Sequence, residues 1–323
     1  MTMPDMKMRW VRKVFDDGNH DAFTDLCRFK SCLYLCFRSC PDGHPVHASS
    51  RIVILSSEDG CEWEEVYDFA VEGRDTRDPH FLIFRGSLFV YSGCWQIPAE
   101  GEEPDMNNHL GYAAITDDGR RWKGPVALEG TYGYYIWRAA SVGREAYMCA
   151  RRRREFAPAR MGSSDELVQA VFLKSRNGLA WSFGGYFAER YGDETAFLFE
   201  DDESILALMR GRGNRPARIC RSPPPYNEWI IHELDRNVGG PLLVRWNGRY
   251  LVGGRNTTDP GSPKTTLYWL EGHALVKAAD LPSGGDNSYP GFVAESKDRA
   301  LVSYYSGHED PESSIYLAEI ELS

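Results

Sequence analysis

The chain has 323 residues, of which 42% are hydrophobic, 13% aromatic and 26% charged, a composition typical of a folded globular protein and not of a disordered one. Its apolar runs are far shorter than the roughly 20 residues of a membrane-spanning helix. The formal net charge of −10 disfavours nucleic acids and anionic membranes, because both repel an acidic surface. We therefore expect neither a nucleic acid nor a membrane as partner.

The amino terminus and the cysteines indicate the compartment. The first ten residues contain charged side chains and no apolar core, which predicts that a secretory signal is absent and that the protein is cytoplasmic. A signal already removed from the chain is the alternative. The eight cysteines show no zinc-type pair spacing, and Cys32, Cys36 and Cys40 lie in a predicted strand as small hydrophobic groups. We expect reduced thiols, no metal ion and no other cofactor.

Six pairs of short apolar or alternating segments follow one another along the chain, and each pair predicts a β-hairpin. In chain order the hairpins are Ala22–Phe29 with Leu33–Arg38, His80–Phe84 with Leu88–Ser92, Trp137–Val142 with Ala146–Arg151, Thr195–Phe199 with Ile205–Arg210, Pro241–Trp246 with Tyr250–Arg255, and Tyr289–Glu295 with Ala300–Tyr305. Helical periodicity is weak throughout, so the chain is predicted to be all-β.

One turn pattern recurs between the hairpins. It is SEDGCEW at residues 57–63, TDDGRRW at 116–122 and SRNGLAW at 175–181, and its tryptophans are 59 residues apart in both intervals (122 − 63 and 181 − 122). The hydroxyl and the Asp or Asn side chain can bond to turn amides, glycine can adopt a positive φ, and tryptophan can fill the space between layers. Three copies in equal register predict a repeat protein built from blades.

The repeat and the hairpins together predict one architecture. Each hairpin unit has about 54 residues, enough for four strands of five to six residues and their turns. The fold class is therefore an all-β, six-bladed β-propeller of four-stranded antiparallel blades, in a single domain that covers residues 1–323. The alternating segment Ile315–Leu322 is expected to pair with a strand near Met8–Arg12 and so close the ring.

The predicted topology places many arginines at one mouth. The first strand of each blade begins at the face to which the second strand returns, so these starts and ends surround the central opening. The arginines at or beside these positions are Arg38, Arg77, Arg138, Arg151, Arg210 and Arg255. A guanidinium binds a carboxylate through two parallel hydrogen bonds, so the expected partner is a carbohydrate with an acidic group.

The repeated turns resemble the Asp-boxes of the sialidase (neuraminidase) superfamily, and the resemblance covers nearly the whole chain. Members of that family use arginines to hold a substrate carboxylate, a tyrosine paired with a glutamate as nucleophile, and an aspartate of the first blade as acid/base. By blade order, the resemblance implies Tyr289 as the nucleophile, Glu194 as its base, and Arg210 and Arg255 as carboxylate ligands. It implies a glycoside hydrolase, similar to exo-α-sialidases, that releases a terminal acidic sugar.

The first blade departs from that family pattern. The segment Gly18–Thr24 lacks the arginine expected there, which weakens sialic acid as the substrate relative to another acidic sugar. The acid/base has no clean match: Asp42 is in the appropriate loop, with His44 close beside it. His20 could supply a cation or act as acid/base itself, because imidazole titrates near neutral pH.

Other candidate ligands of the substrate lie at the same predicted mouth. Asp78 belongs to an Arg-Asp-Pro segment that resembles one in other glycan-active propellers, where the aspartate orients substrate hydroxyls; a salt bridge at the strand start is the alternative. Asp286 could accept a hydrogen bond from a sugar hydroxyl, and Tyr305 and His308 are expected beside it. Aromatic residues such as Trp95 could stack on a sugar face.

Two alternative functions stay open. One is a propeller polysaccharide lyase or hydrolase that acts on a uronic-acid linkage. In the lyase, His20 or His44 with Tyr289 would remove the proton α to the uronate. The other is a glycan-binding propeller without catalysis, although a pure binding site does not need Glu194, Tyr289 and several histidines together.

Overall fold

The computed structural model describes residues 3–157, 165–213, 215–258 and 262–323. Within these ranges the chain forms the predicted six-bladed propeller of four-stranded antiparallel sheets. The strands, blade by blade, are β2 (His20–Phe29), β3 (Cys32–Cys40), β4 (Arg51–Ser57) and β5 (Glu64–Phe69) in blade one; β6 (Arg74–Phe84), β7 (Ser87–Gln96), β8 (Leu110–Thr116) and β9 (Trp122–Ala127) in blade two; β10 (Tyr135–Val142), β11 (Glu145–Arg153), β12 (Val168–Ser175) and β13 (Ser182–Ala188) in blade three; β14 (Thr195–Phe199), β15 (Ile205–Met209), β16 (Arg218–Ser222) and β17 (Ile230–Glu233) in blade four; β18 (Gly239–Trp246), β19 (Arg249–Asn256), β20 (Lys264–Glu271) and β21 (Ala274–Asp280) in blade five; and β22 (Asn287–Ala294), β23 (Arg299–Ser306), β24 (Ser314–Leu322) and β1 (Met6–Phe15) in blade six.

The amino-terminal strand completes the last blade, as predicted. Strand β1 pairs antiparallel with β24, with Met8 opposite Ile320 and Arg12 opposite Leu317. The two ends of the described chain therefore close the ring and remove the free edges that an open array of blades would leave. Short 3-10 helices occupy Met106–Asn108, Arg154–Phe156 and Asp165–Leu167. Among the described residues, none of the helices has the length and hydrophobicity needed to span a bilayer. All eight cysteines lie in the described ranges, and each is a free thiol.

The repeated turns share one hydrogen-bond pattern. In the first, the Ser57 hydroxyl accepts the Gly60 N–H at 2.8 Å, and the Asp59 carboxylate accepts the Cys61 N–H at 2.8 Å. The turns at 116–122 and 175–181 repeat both bonds. Each turn joins the third strand of a blade to the fourth, and alternation of strand direction places it on the face opposite the central mouth.

The turns also join neighbouring blades. Tyr34 of blade one donates its hydroxyl to the Gly119 carbonyl in the turn of blade two. Gly119 has φ +82°, and a Cβ there would lie 2.0 Å from the Tyr34 oxygen. Glycine is therefore required both by the backbone conformation and by the close approach of the tyrosine.

The first strand of every blade except blade four contains a β-bulge close to the mouth. In four of these bulges one residue adopts a left-handed φ: Phe23 at 63°, Asp78 at 49°, Gly240 at 58° and Tyr289 at 50°. A bulge adds a residue and redirects its side chain, and a non-glycine residue in this conformation is uncommon. The shared bulge thus presents side chains to the propeller axis.

A buried polar cluster fills the centre of the ring below the mouth. Arg138 of blade three donates to the Asp25 carboxylate at 3.2 Å, to the Pro241 carbonyl at 3.0 Å and to the Pro290 carbonyl at 2.7 Å. His80 of blade two lies 3.3 Å from the other Asp25 oxygen. These contacts join blades one, two, three, five and six around the axis.

Candidate active site

A cavity of about 460 Å³ opens at the central mouth. Its walls come from all six blades, and its most polar groups are at the starts of first strands or just beyond the ends of second strands. The lining residues are Phe23, His44, Arg77, Asp78, Trp95, Tyr135, Arg151, Asp193, Glu194, Arg210, Arg212, Gly213, Arg255 and Tyr289. Five arginines and three carboxylates thus line one cavity of an otherwise acidic protein.

Tyr289 and Glu194 form a buried pair in this cavity. The tyrosine hydroxyl donates to one carboxylate oxygen of Glu194 at 2.6 Å. The other oxygen accepts Arg210 at 2.9 Å and the Gly240 N–H at 3.1 Å. Arg210 also lies 3.5 Å from the tyrosine hydroxyl, so one guanidinium contacts both members of the pair.

The bulge in blade five makes room for the tyrosine ring. A Cβ at Gly240 would lie 2.5 Å from the ring of Tyr289, and the φ of Gly240 is itself left-handed. Any side chain at this position would displace the phenol from Glu194. The aromatic ring of Phe23 also packs against Tyr289, and the centroids of the two rings are 5.0 Å apart.

Burial and charge act differently on the two partners. Burial disfavours the Glu194 carboxylate, but Arg210 and Arg151 outweigh that effect and lower its pKa to about 2. Burial, together with the negative charge of Glu194, raises the pKa of Tyr289 well above its usual value near 10. The resting pair is therefore a neutral phenol beside an ionised carboxylate, and the phenol can ionise only if its proton has an acceptor.

Arg210 and Arg255 lie on the same side of the cavity, next to Gly239. A Cβ at Gly239 would be 3.8 Å from the guanidinium carbon of Arg210 and 3.3 Å from the Cβ of Arg255. The Nε of Arg210 is buried and makes no hydrogen bond to any described residue. Arg255 donates to Asp286 at 2.6 Å, to Tyr305 at 2.8 Å and to the carbonyl of Asn287 at 2.8 Å.

Asp286 is the centre of a second cluster, behind Arg255. One oxygen accepts Arg255 and the Tyr305 hydroxyl, the latter at 3.0 Å. The other oxygen lies 3.0 Å from Nε2 of His20 and 2.8 Å from Nδ1 of His44. Burial alone would raise the pKa of Asp286, but the two histidines and Arg255 hold it far below its usual range. The carboxylate is therefore ionised and accepts four hydrogen bonds.

His20, His44 and Asp286 are close enough to be tested as a metal site, because their candidate ligand atoms lie within 4.8 Å of one another. The contact of His20 with Arg38 opposes this role. Nδ1 of His20 lies 3.4 Å from a guanidinium nitrogen of Arg38, which can only donate. Nδ1 must therefore accept, and the imidazole proton is on Nε2, where a metal ion would need a lone pair. The donor set fits a hydrogen-bonded cluster better than a metal ion.

The wall from blades two to four is also densely charged. Asp78 accepts a hydrogen bond from Tyr135, and burial together with the nearby Glu194 raises the pKa of Asp78. Arg151 is paired with Asp193 and lies 3.9 Å from Glu194. Trp95 is next to Tyr135, with ring centroids 5.8 Å apart. This wall offers aromatic faces and both signs of charge to the polar groups of a ligand.

The structure separates the predicted site residues into three groups. The cavity is lined by Tyr289, Glu194, His44, Arg77, Asp78, Arg151, Arg210 and Arg255. Directly behind that lining, Asp286 holds His20, His44 and Tyr305. The remaining four predicted residues, Arg38, Asp42, Arg138 and His308, are not part of the lining.

The expected positions of those four are corrected by the structure. Arg38 is completely buried and donates to the buried carboxylate of Asp75 at 3.1 Å, and Arg138 belongs to the polar cluster below the mouth. Asp42 is exposed and accepts the Ser49 hydroxyl. His308 contacts the Ser306 hydroxyl at 3.0 Å. Strand position alone does not distinguish an arginine that faces the axis from one that points between blades.

Sequence reasoning also missed four lining residues, which are Phe23, Asp193, Arg212 and Gly213. Phe23 is in the bulge of blade one, in the position that Asp78 and Tyr289 occupy in their own bulges. Asp193 directly precedes Glu194, and Arg212 follows Arg210 by two residues. The bulge that places Phe23 appears only in the structure, and Asp193, Arg212 and Gly213 are likewise recognised as lining residues only there.

Comparison with known proteins supports the architecture. No family model and no curated protein matches the sequence. A protein of unknown function from Dyadobacter fermentans superposes with a TM-score of 0.82 at 19% identity, over 99% of this chain and 100% of its own. A Trypanosoma rangeli sialidase superposes with a TM-score of 0.70 at 12% identity, over 93% of this chain and 55% of its own. The corresponding values for the Hadza microbial sialidase Hz136 are 0.68, 14%, 93% and 65%. At these identities the likeness is one of fold.

Proposed function

We propose that the protein is a sialidase-like exoglycosidase that hydrolyses the linkage of a terminal acidic sugar, with Tyr289 as nucleophile. The observation that supports this most directly is the buried contact of 2.6 Å between the Tyr289 hydroxyl and Glu194. A phenol paired with an ionised carboxylate at the base of a cationic cavity is suited to attack an anionic substrate, because a neutral nucleophile repels it less than a carboxylate would.

Arg210 and Arg255 would hold the carboxylate of the sugar. Both flank Gly239, and the buried Nε of Arg210 is a donor without a partner among the described residues. A carboxylate bound beside Arg210 would offset part of its positive charge. Since Arg210 is one of the charges that lower the pKa of Glu194, substrate binding would make Glu194 a stronger base when it is needed.

The chemistry would then proceed in two displacements. The Tyr289 oxygen bonds to the anomeric carbon as its proton passes to Glu194, and the glycosidic bond breaks as an acid protonates the departing oxygen. In the second step, water attacks the anomeric carbon as the conjugate base of that acid takes a proton from it, and the bond to Tyr289 breaks as Glu194 returns the proton to the phenolate. The sum is one glycoside and one water converted into a free sugar and an alcohol.

An array of 4-methylumbelliferyl glycosides tests the proposal. It should include an α-sialoside, a glucuronide, a galacturonide and a neutral galactoside. We expect turnover of an acidic sugar and none of the neutral one. Tyr289→Phe should lower kcat by about 10³-fold or more, since the ring still packs but the nucleophilic oxygen is gone.

Tyr304→Phe is the matched control. Tyr304 is a neighbouring buried tyrosine that donates to the Pro282 carbonyl at 2.9 Å and does not line the cavity. This variant should retain activity within a few-fold. Undiminished turnover in Tyr289→Phe would rule out tyrosine as the nucleophile.

A uronate lyase is the second candidate, and the position of His44 at the cavity favours it. Elimination would create a 4,5-unsaturated uronide, which absorbs in the ultraviolet, whereas hydrolysis would not. Incubation with polyuronates while ultraviolet absorbance is followed separates the two reactions. A rise in absorbance that persists in Tyr289→Phe would favour histidine chemistry.

A further inference from the structure

His44 occupies a loop that two buried arginines hold in place. The loop connects β3 to β4, and Arg38 donates to the carbonyls of Gly43 and Pro45, each at 3.0 Å. Arg77 donates to the carbonyls of His44 at 3.2 Å and of Pro45 at 3.0 Å. Four charge-assisted hydrogen bonds thus fix three consecutive carbonyls, so the imidazole projects from an ordered support although it comes from a loop.

The imidazole of His44 belongs to the cavity wall. Its side chain is 52% exposed and lines the same cavity as Tyr289 and Glu194. Phe23 packs against both His44 and Tyr289, with distances between ring centroids of 5.6 Å and 5.0 Å, respectively. His44 and Tyr289 are thus both neighbours of Phe23, and both line the cavity in which a sugar would bind.

The hydrogen bonds determine which nitrogen of His44 is available. Asp286 is ionised and can only accept, so the ring nitrogen 2.8 Å from it, Nδ1, carries a proton. His20 also lies near the ring, at 5.1 Å between ring centroids, and the guanidinium of Arg77 is at the His44 carbonyl. Nε2, at the opposite edge of the ring, has no hydrogen-bond partner among the described residues and can contact a ligand.

We propose that His44 is the acid/base of this hydrolysis and that Asp286 is its positioning residue. The inference rests on the proposed function. The His44 imidazolium gives its Nε2 proton to the glycosidic oxygen as that bond breaks. Neutral Nε2 then takes a proton from the water that attacks the glycosyl–Tyr289 intermediate, which restores the imidazolium. A carboxylate behind an imidazole fixes its tautomer and stabilises its cation, as in other histidine–aspartate pairs.

Dependence on the leaving group tests the proposal. A nitrophenolate leaves without a proton, whereas a sugar alcohol needs one. His44→Ala should therefore lower kcat/KM for a natural disaccharide linkage by about 10³-fold and for a nitrophenyl glycoside by less than about tenfold. Added azide should raise turnover of the nitrophenyl substrate by this variant and yield a glycosyl azide, because azide needs no base.

His47→Ala is the matched control, since His47 is in the same loop and does not line the cavity. It should behave as the unmodified protein on both substrates. Equal losses on the two substrates in His44→Ala would overturn the assignment while leaving Tyr289 as nucleophile. Full activity of Tyr289→Phe would overturn the proposed function itself, and a protein that cleaves nothing in the array would overturn both.

The conservative variant His44→Glu adds a pH readout. Carboxylic acids ionise about two pH units below imidazoliums. The alkaline limb of kcat/KM should therefore move to lower pH by about that amount, with part of the activity retained. An unmoved limb would exclude His44 as the acid.

Nitrogen NMR of the free protein gives a measurement that needs no substrate. With ¹⁵N-labelled histidine, and His44→Gln to assign the signals, neutral His44 should be protonated at Nδ1. Asp286→Asn should shift His44 towards the Nε2–H tautomer that predominates in free imidazoles, because an amide can also donate to Nδ1. A neutral His44 protonated at Nε2 in the unmodified protein would overturn the proposal, whatever the enzyme cleaves.

Discussion

The two sides of the cavity are built by different means. On the side of blades four to six, Glu194, Arg210 and Tyr289 lie at strand starts or at a strand end, and they contact one another directly. On the side of blade one, His44 comes from a loop and is held by contacts with other blades. One side is positioned by the register of strands, the other by hydrogen bonds that join distant segments.

This contrast indicates which functional groups can be predicted from a repeat sequence. Strand register repeats from blade to blade, so residues at equivalent positions can be aligned with one another by their place in the repeat. A loop has no such register, and its side chains are placed by long-range partners. Four substitutions, in three experiments of decreasing expected effect, test how the residues around the mouth are positioned and what their charges contribute.

The strand-positioned side should be most sensitive at Glu194. Glu194→Gln removes the group that accepts the phenol proton, so kcat should fall by about 10³-fold, while KM for the acidic sugar changes little. Steady-state kinetics measure this, and thermal melting shows whether the variant is folded at the assay temperature. Activity within tenfold of the unmodified protein would mean that another base serves Tyr289.

Substituting an arginine at the mouth should lower activity, whereas substituting an arginine below the mouth should lower stability. Arg210→Lys loses bidentate geometry and should lower kcat/KM for an acidic sugar by about 10²-fold, with little change in the urea midpoint. Arg138→Lys loses bonds to Asp25 and to two carbonyls from other blades. It should cost about 3 kcal/mol of unfolding free energy and leave KM unchanged. If both variants lose only activity, the cluster below the mouth is not a structural centre.

The smallest effect is expected at Asp21, in strand β2 of blade one. Arginines lower the pKa of Glu194, whereas no arginine is among the main influences on the pKa of Asp21. Burial and the nearby Asp17 raise the pKa of Asp21 to about 8, above the value near 3.9 expected in the unfolded chain. Its contribution to stability is therefore fully present below about pH 4 and is lost as the pH rises through about 8. Asp21→Asn should stabilise the fold by about 2 kcal/mol at pH 8 and have no effect at pH 4.

Urea unfolding at both pH values measures that difference. Asp201→Asn is the control, because the Asp201 side chain is 92% exposed and pairs only at the surface with Arg245. Its effect should be within about 0.5 kcal/mol at either pH. An equal effect of the two substitutions would show that burial does not disfavour the Asp21 charge.

Much of the candidate site followed from blade order. Tyr289 and Glu194 are 95 residues apart in the chain, yet both lie at the starts of first strands, which is why the sequence places them at the same mouth. Their catalytic roles stay predictions. Arg38, near the end of a second strand, and Arg138, near the start of a first strand, are also expected at the mouth, but one points into the blade-one loop and the other into the centre of the ring. Backbone register predicts where a residue is, whereas neighbouring side chains decide where its guanidinium ends.

The six hairpins, the repeated turns and the closure of the ring can be predicted from the sequence, because each depends on local turn chemistry and on alternation along a strand. The contact of Asp286 with His20 and His44, residues more than 240 positions earlier in the chain, is visible only in the folded protein. The folded protein alone also shows that five blades share a bulge that turns Phe23, Asp78 and Tyr289 towards the axis. These features depend on how blades pack side by side, and packing between segments far apart in the chain leaves no periodic signal in the sequence.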